Sequence, residues 1–129
     1  LDDNKRVELA DRWRDSLDIK MSDPYDPVRT LSGGNQQKVV LSKWLATDPK
    51  LLILDEPTVG IDVFAKNSVH DFVKNLARRG ISIVLISDEI QEVLSNCHRV
   101  LVMDRGRIVH ELVPDENSER ELYERFNLA

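Results

Sequence analysis

Two stretches of this chain combine residue types able to act on a phosphorylated ligand. The first is Leu31-Ser32-Gly33-Gly34-Asn35-Gln36-Gln37-Lys38, where a helical pattern starts at the glycines. Two glycines let a backbone approach a ligand closely, and the first N–H groups of a helix point outward at an anion. The helix macrodipole adds ~0.3–1 kcal/mol for a negative group held there. Ser32 offers a hydroxyl either to the helix N-terminus or to a phosphate oxygen; a bare S-G-G reads first as a Ser N-cap followed by a flexible turn. The second stretch is Asp55-Glu56, which closes the apolar run Leu51-Leu52-Ile53-Leu54. A carboxylate at the carboxyl end of a parallel strand stands at the crevice where α/β folds bind ligands. Asp55 suits Mg²⁺ held through a coordinated water. Glu56 points the other way and suits a base that orients or deprotonates a water attacking a phosphoryl group, a role worth ~10²–10⁴-fold. Taken alone, D-E-P also fits two solvated acids in a turn before Pro57.

The elements that must position these residues follow from periodicity. Leu9, Trp13 and Leu17, with Ala10 beside them, form an apolar stripe on a charged helix over 2–17. Pro24 and Pro27 mark the stretch 20–30 as a loop. Val40/Trp44 and Leu41/Leu45 extend a helix from the glycines to a stop before Pro49. The run 51–54 is expected to be a strand buried on both faces, and 81–86 a second one. Between them Asp62 is the N-cap of a helix to Arg79 with Val69, Phe72, Val73 and Leu76 inward, closed by Gly80. Residues 88–96 read as a short helix with Ile90, Val93 and Leu94 inward. Val100 to Met103 and Ile108 to Val113 are strands joined by Asp104-Arg105-Gly106-Arg107, a hairpin signal. Ser118 with Glu121 makes a capping box for a last helix carrying Leu122 and Phe126. The β-α-β-α-β order implies parallel strands covered by helices. The first ~50 residues, mainly helix and loop, belong to a different architectural element.

Composition narrows the function classes. The 129 residues fit one domain; five Gly and five Pro exclude collagen-like and low-complexity classes, and 41% hydrophobic content argues against wholesale disorder. Eighteen basic residues against 23 acidic ones leave a formal charge of −5, which disfavours binding to a nucleic-acid backbone. Cys97 is the single cysteine, so no intrachain disulfide forms and a reducing compartment is the default. The longest apolar runs fall far short of the ~20 residues that span a bilayer. Cys97-His98, His70 and His110 lack metal-ligand spacing. Trp13 and Trp44 read as packing residues.

Taken together, LSGGNQQKV followed by LLILDEPTVGID resembles the nucleotide-binding domain of ABC ATPases. LSGG matches the family signature, LLILDE its Walker B strand, and Gly60-Ile61-Asp62 its D-loop. The likeness continues through Ile86-Ser87-Asp88 at the switch region and through VLVMDRGRI in the hairpin. The NQQK extension looks most like the second ATP-binding domain of bacterial monosaccharide importers of the ribose, xylose and galactoside type. No G-x-x-x-x-G-K-[ST] occurs, and the family's adenine-stacking aromatic and Q-loop have no counterpart. The resemblance therefore implies the C-terminal part of such a domain, without Walker A, and no ATPase activity for the isolated chain.

The implied fold is α/β, a partial P-loop NTPase-like core of mostly parallel sheet with flanking helices. Residues 1–48 would be part of the helical subdomain and 49–129 the later part of the ATPase core. The family mechanism places ATP and Mg²⁺ between two domains closed head to tail. Ser32, Gly33, Gly34 and Gln36 would then face the γ-phosphate on a partner domain. Asp55 would hold Mg²⁺ through water, Glu56 would be the catalytic base, and Asp62 would cross the interface. The switch position, commonly His, is Asp88 here; it lacks a donor, and two unit charges ~4 Å apart at an effective dielectric of ~20 repel by ~4 kcal/mol. As the N-cap of the helix that follows, Asp88 would turn away, and the site would be degenerate. The implied partners are a second nucleotide-binding domain, a transmembrane permease and, indirectly, a periplasmic sugar-binding protein, with no nucleic acid. The implied place is the cytoplasmic side of the membrane. Two other readings of these motifs are a soluble ABC ATPase of DNA repair or translation and a regulatory ABC domain that has lost catalysis.

Overall fold

The computed structural model describes residues 2–126. Helix α1 (Asp3–Leu17) opens where the Asp2 carboxylate accepts the Asn4 N–H at 3.3 Å, and it stops at Asp18 in the left-handed region, φ 47°. Among its residues Leu17 alone is buried; Leu9 is exposed and Trp13 half-buried, so the predicted stripe is deep only at its C-terminal end. The loop that follows holds one 3₁₀ turn, Val28–Thr30, and leads to α2 (Gly33–Leu45). On α2, Leu41 and Leu45 are buried while Val40 and Trp44 face solvent, so the second of the two predicted pairs is the packing one.

Strand β1 (Leu51–Asp55) is followed by α3 (Val63–Arg78) and β2 (Ser82–Ile86). The Asp62 carboxylate caps α3 by accepting the Ala65 N–H at 3.0 Å, and Val69, Phe72, Val73 and Leu76 are all buried, as their spacing predicts. Gly80, at φ 92°, ends the helix with its N–H on the Ala77 carbonyl. The two strands lie side by side in parallel: Ser82 N–H reaches Lys50 O, and Glu56 N–H reaches Ile86 O, both at 2.9 Å. Neither strand is buried on both faces. Leu52 and Leu54 are buried, whereas Leu51 is 52% and Ile53 64% exposed, and Val84 and Ile86 are exposed on β2. An apolar run without alternation signals two coverable faces; in this chain only one is covered.

Helix α4 (Ile90–Asn96) is shorter than expected. Its N-cap position belongs to Glu89, whose N–H is taken by the Ser87 hydroxyl at 3.1 Å, so Asp88 is not the cap. Its buried residue is Glu92, with Ile90, Val93 and Leu94 half-buried. Strands β3 (Val100–Asp104) and β4 (Arg107–Leu112) form an antiparallel ladder of their own, so β3 does not extend the parallel pair. Arg105 and Gly106, both at positive φ, make a two-residue turn of the primed kind whose twist matches the strands. Between Val102/His110 and Met103/Ile108 the register slips by one, leaving Val109 as a bulge.

Helix α5 (Ser118–Phe126) packs Leu122 inward. The predicted capping box does not form. Ser118 Oγ instead accepts the Asp115 N–H at 2.8 Å and donates to its carboxylate at 2.7 Å, which, first among the causes, holds Asp115 below the ordinary carboxylate range. Glu121 turns to His110, Oε1 lying 3.0 Å from Nε2 but off the hydrogen-bonding direction.

The chain divides into two compact units. One holds α1, α2, α3 and the leading halves of β1 and β2; the other holds the trailing halves of those strands and everything after β2.

Candidate functional site

In the first unit the site residues are set by how closely α2 meets the start of α3. A Cβ built on Gly33 would lie 2.9 Å from Ile61 Cγ2, and one on Gly34 would lie 2.9 Å from Ala65 Cβ and 3.3 Å from Ala65 Cα. The glycines thus admit a neighbouring segment at a distance no side chain would allow, and Gly34 is buried there. Ser32 stands at the N-cap position with extended backbone, yet its side chain makes no cap bond. Its Oγ instead accepts from Asn35 Nδ2 at 2.8 Å, and Asn35 Oδ1 accepts the Lys20 backbone N–H at 2.9 Å. Gln36 gives its backbone N–H to Ser32 O at 2.9 Å and its side-chain Nε2 to Leu31 O at 2.7 Å. Its amide is therefore used to hold the loop before the helix. Asp62, exposed, spends one carboxylate oxygen on the α3 cap. The structure thus brings Gly33 and Gly34 against the residues flanking Asp62, and ties Ser32 and Gln36 into the loop.

Lys38, also on α2, is 6% exposed with Nζ 3.2 Å from Asp18 O. Sequence reading missed it and Asn35, although both carry signals. Gly34, Lys38, Leu41 and Leu45 share one face at helical spacing, and Asn35 stands three residues after Ser32, where side chains meet.

In the second unit the carboxyl end of β1 presents Asp55, exposed, and Glu56, half-buried. Glu56 sits at φ 47°, a conformation that costs a non-glycine residue ~1–3 kcal/mol and concentrates at functional positions. Two hydrogen bonds hold it there. Its N–H reaches Ile86 O at 2.9 Å, and its Oε1 accepts the Asp88 N–H at 2.8 Å. Glu56 and Asp88 therefore meet, through the Asp88 backbone; the Asp88 residue itself is exposed. A carboxylate has about four lone-pair sites, so one bond fixes its direction and leaves acceptor capacity for a water.

Asp55 is one carboxylate at a strand end, which fits Mg²⁺ as that ion is usually bound, through one or two carboxylates plus waters and phosphate oxygens. Among the described residues no group of three His, Cys, Asp or Glu side chains could hold a metal ion by itself. Burial, with Glu92 second, pushes the Cys97 thiol above its ordinary value, which keeps it protonated and a poor nucleophile. No helix among the described residues is long and apolar enough to cross a membrane.

Residues 2–59 match the ABC transporter family model. The L-arabinose transport ATP-binding protein AraG of Geobacillus stearothermophilus is 45% identical over 122 residues, which is 95% of this chain and 24% of that protein. The ribose import ATP-binding protein RbsA of Rhodococcus jostii is 52% identical over 113 residues, 88% of this chain and 22% of that one. Among solved structures, cbiO1 from Clostridium perfringens, part of the ABC transporter complex cbiONQ, superposes with a TM-score of 0.76 at 29% identity, over 99% of this chain and 51% of its own. The chain spans about a quarter of the length of the curated relatives it matches. In sequence and in fold alike, the chain is similar to ABC ATPases and homologous to the ATP-binding proteins of ribose and arabinose importers.

Proposed function

We propose that this chain is the later part of the nucleotide-binding domain that powers a monosaccharide importer, residues 1–48 serving the helical subdomain and 49–129 the ATPase core. The observation that carries the chemistry is the Glu56 carboxylate, fixed by the Asp88 N–H at 2.8 Å on a backbone held at positive φ. A base must be aimed before it is useful, and this one is aimed from two sides. Bound Mg·ATP supplies the γ-phosphoryl group and the cation that neutralises its charge. Asp55 would hold that cation, Glu56 would orient the attacking water, and Ser32, Gly33 and Gly34 would offer one hydroxyl and helix N–H groups to the γ-phosphate on a second domain. Gln36 supports that edge by bracing the Leu31 carbonyl. Asp62 starts α3 beside the same glycines and presents its exposed side to the partner domain.

The homologues named for ribose and arabinose import support a pentose as solute, a permease as membrane partner, a sugar-binding protein upstream of it, and a position on the cytoplasmic face. One observation favours a slower variant of this reading. Asp88 contributes a backbone donor to Glu56 but no side-chain donor to the γ-phosphate, so this half-site keeps its base and lacks one electrostatic contact.

The test is transport. Proteoliposomes holding the full ATP-binding protein, its permease and the sugar-binding protein should take up ribose or arabinose only with Mg·ATP on the ATP-binding side. ATP hydrolysis that continues with no entry of either pentose overturns the assignment to sugar import.

A further inference from the structure

The hydroxyl of Ser32 is oriented by a hydrogen-bond chain that begins at the backbone of Lys20, twelve positions before it. A backbone N–H only donates, so the atom of Asn35 that meets Lys20 at 2.9 Å is the amide oxygen. The NH₂ end then faces Ser32, and Oγ is the acceptor of the 2.8 Å contact. A hydroxyl that accepts along that line directs its own proton elsewhere, and Oγ is not used to cap α2. Ser32 is exposed and lines a shallow groove with Lys20, Ser22, Thr30 and Asn35.

We propose that Asn35 is a positioning residue that sets Ser32 as a hydrogen-bond donor toward an anionic phosphoryl oxygen. This rests on the reading of Ser32 as a γ-phosphate contact. Without Asn35 the hydroxyl rotates freely; with Asn35 the proton points outward, and the bond it accepts polarises it in the same direction. Replacing Asn35 by Asp reverses the arrangement. The Lys20 N–H keeps its acceptor, but the other carboxylate oxygen takes the Ser32 proton and leaves a lone pair facing the ligand.

The experiment is a double-mutant cycle read by nucleotide affinity, in the full-length ATP-binding protein with its permease. The probes are a non-hydrolysable ATP analogue, which keeps three phosphates, and ADP, which lacks the γ-phosphate. Ser32→Ala should weaken the analogue about tenfold or more and leave ADP unchanged, as expected for losing a hydrogen bond to a charged group. Asn35→Asp should weaken the analogue at least as much and Asn35→Ala less, again with ADP unchanged. In the Ser32→Ala background neither Asn35 substitution should add anything. If Asn35→Asp weakens the analogue equally with and without the hydroxyl, its charge acts directly and the positioning role is wrong. If Ser32→Ala has its effect while both Asn35 variants bind as wild type, Ser32 orients itself and the proposal falls alone. If Ser32→Ala leaves analogue affinity unchanged, the phosphate-contact reading falls and takes the proposal with it. Should Asn35→Asp not fold, Asn35→Ala decides by the same three comparisons.

Discussion

At Gly33 and Gly34 the chain holds its candidate ligand groups by close packing, whereas at Glu56 it holds one with backbone strain and two hydrogen bonds. The first arrangement depends on volume: Ile61 and Ala65 occupy the space where side chains would otherwise stand. The second depends on direction: an uncommon φ turns the carboxylate, and the Asp88 N–H keeps it turned. A volume constraint is felt throughout a helix pair, so disturbing it should register first as lost stability. A directional constraint on one exposed-loop neighbour is local, so disturbing it should register first as lost turnover. Residues of comparable importance to one reaction can thus fail in different observables.

The largest expected effect tests the directional side. Glu56→Gln keeps an oxygen for the Asp88 N–H but removes the base, so turnover at this site should fall ~10²-fold or more with nucleotide binding retained. Single-site ATPase kinetics check it; unchanged turnover would mean that Glu56 is aimed for some other purpose. Next is the volume side. Gly34→Ala places a Cβ against the Ala65 backbone, which cannot step aside, at a cost of ~1–3 kcal/mol, offset by ~0.5–1 kcal/mol of helix preference. Gly33→Ala meets the Ile61 side chain, Cγ2 at 2.9 Å, and no backbone atom, so its thermal midpoint should fall less. Equal midpoints for the two variants would show that packing does not govern this corner.

The smallest effect separates backbone from side chain at the switch. Because Glu89, not Asp88, occupies the N-cap position, Asp88→His should leave stability within about 0.5 kcal/mol of wild type. Turnover should rise, since His adds a donor for the γ-phosphate while the backbone N–H to Glu56 is unchanged. A marked drop in thermal midpoint would restore a capping role to Asp88, and a drop in turnover would give its carboxylate a part in the reaction.

Much of the first unit was legible because one face of a helix leaves a periodic trace. The α3 core residues Val69, Phe72, Val73 and Leu76, the Asp62 cap and the Gly80 stop all follow from spacing and side-chain chemistry alone. The Arg105-Gly106 turn is legible for the same reason, since few residue pairs tolerate two positive φ values. What sequence could not decide was competition between equally short-range partners. Ser118 has Glu121 ahead of it and Asp115 behind it, and the hydroxyl went to Asp115. Asp88 reads as the start of α4, yet no side chain caps that helix, and the Ser87 hydroxyl accepts the N–H of Glu89 just before it. Exposure of Leu51 and Ile53 is a different kind of miss, because an apolar run records what a strand can bury and not what is there to bury it. Of the site, the residue types were readable from the motif, and the bonds that orient them were not. Glu56 is aimed by the N–H of a residue 32 positions on, a group every non-proline residue possesses and no sequence displays.

Lys38 gives the signature helix a mechanical property as well. Its ammonium group, almost fully covered, sits at the carbonyl of Asp18, the residue that closes α1 at the negative end of that helix. It behaves like a tethered monovalent cation: its ligand is a main-chain oxygen, and its leash is four methylenes rooted one turn beyond Gly34. Pulling the two helices apart would strand a charge in a poorly hydrated seam, so they resist shear as though riveted there. A push applied anywhere along α1 should therefore arrive at Ser32 as a displacement of the whole helix end, with little lost to flexing of the loop between.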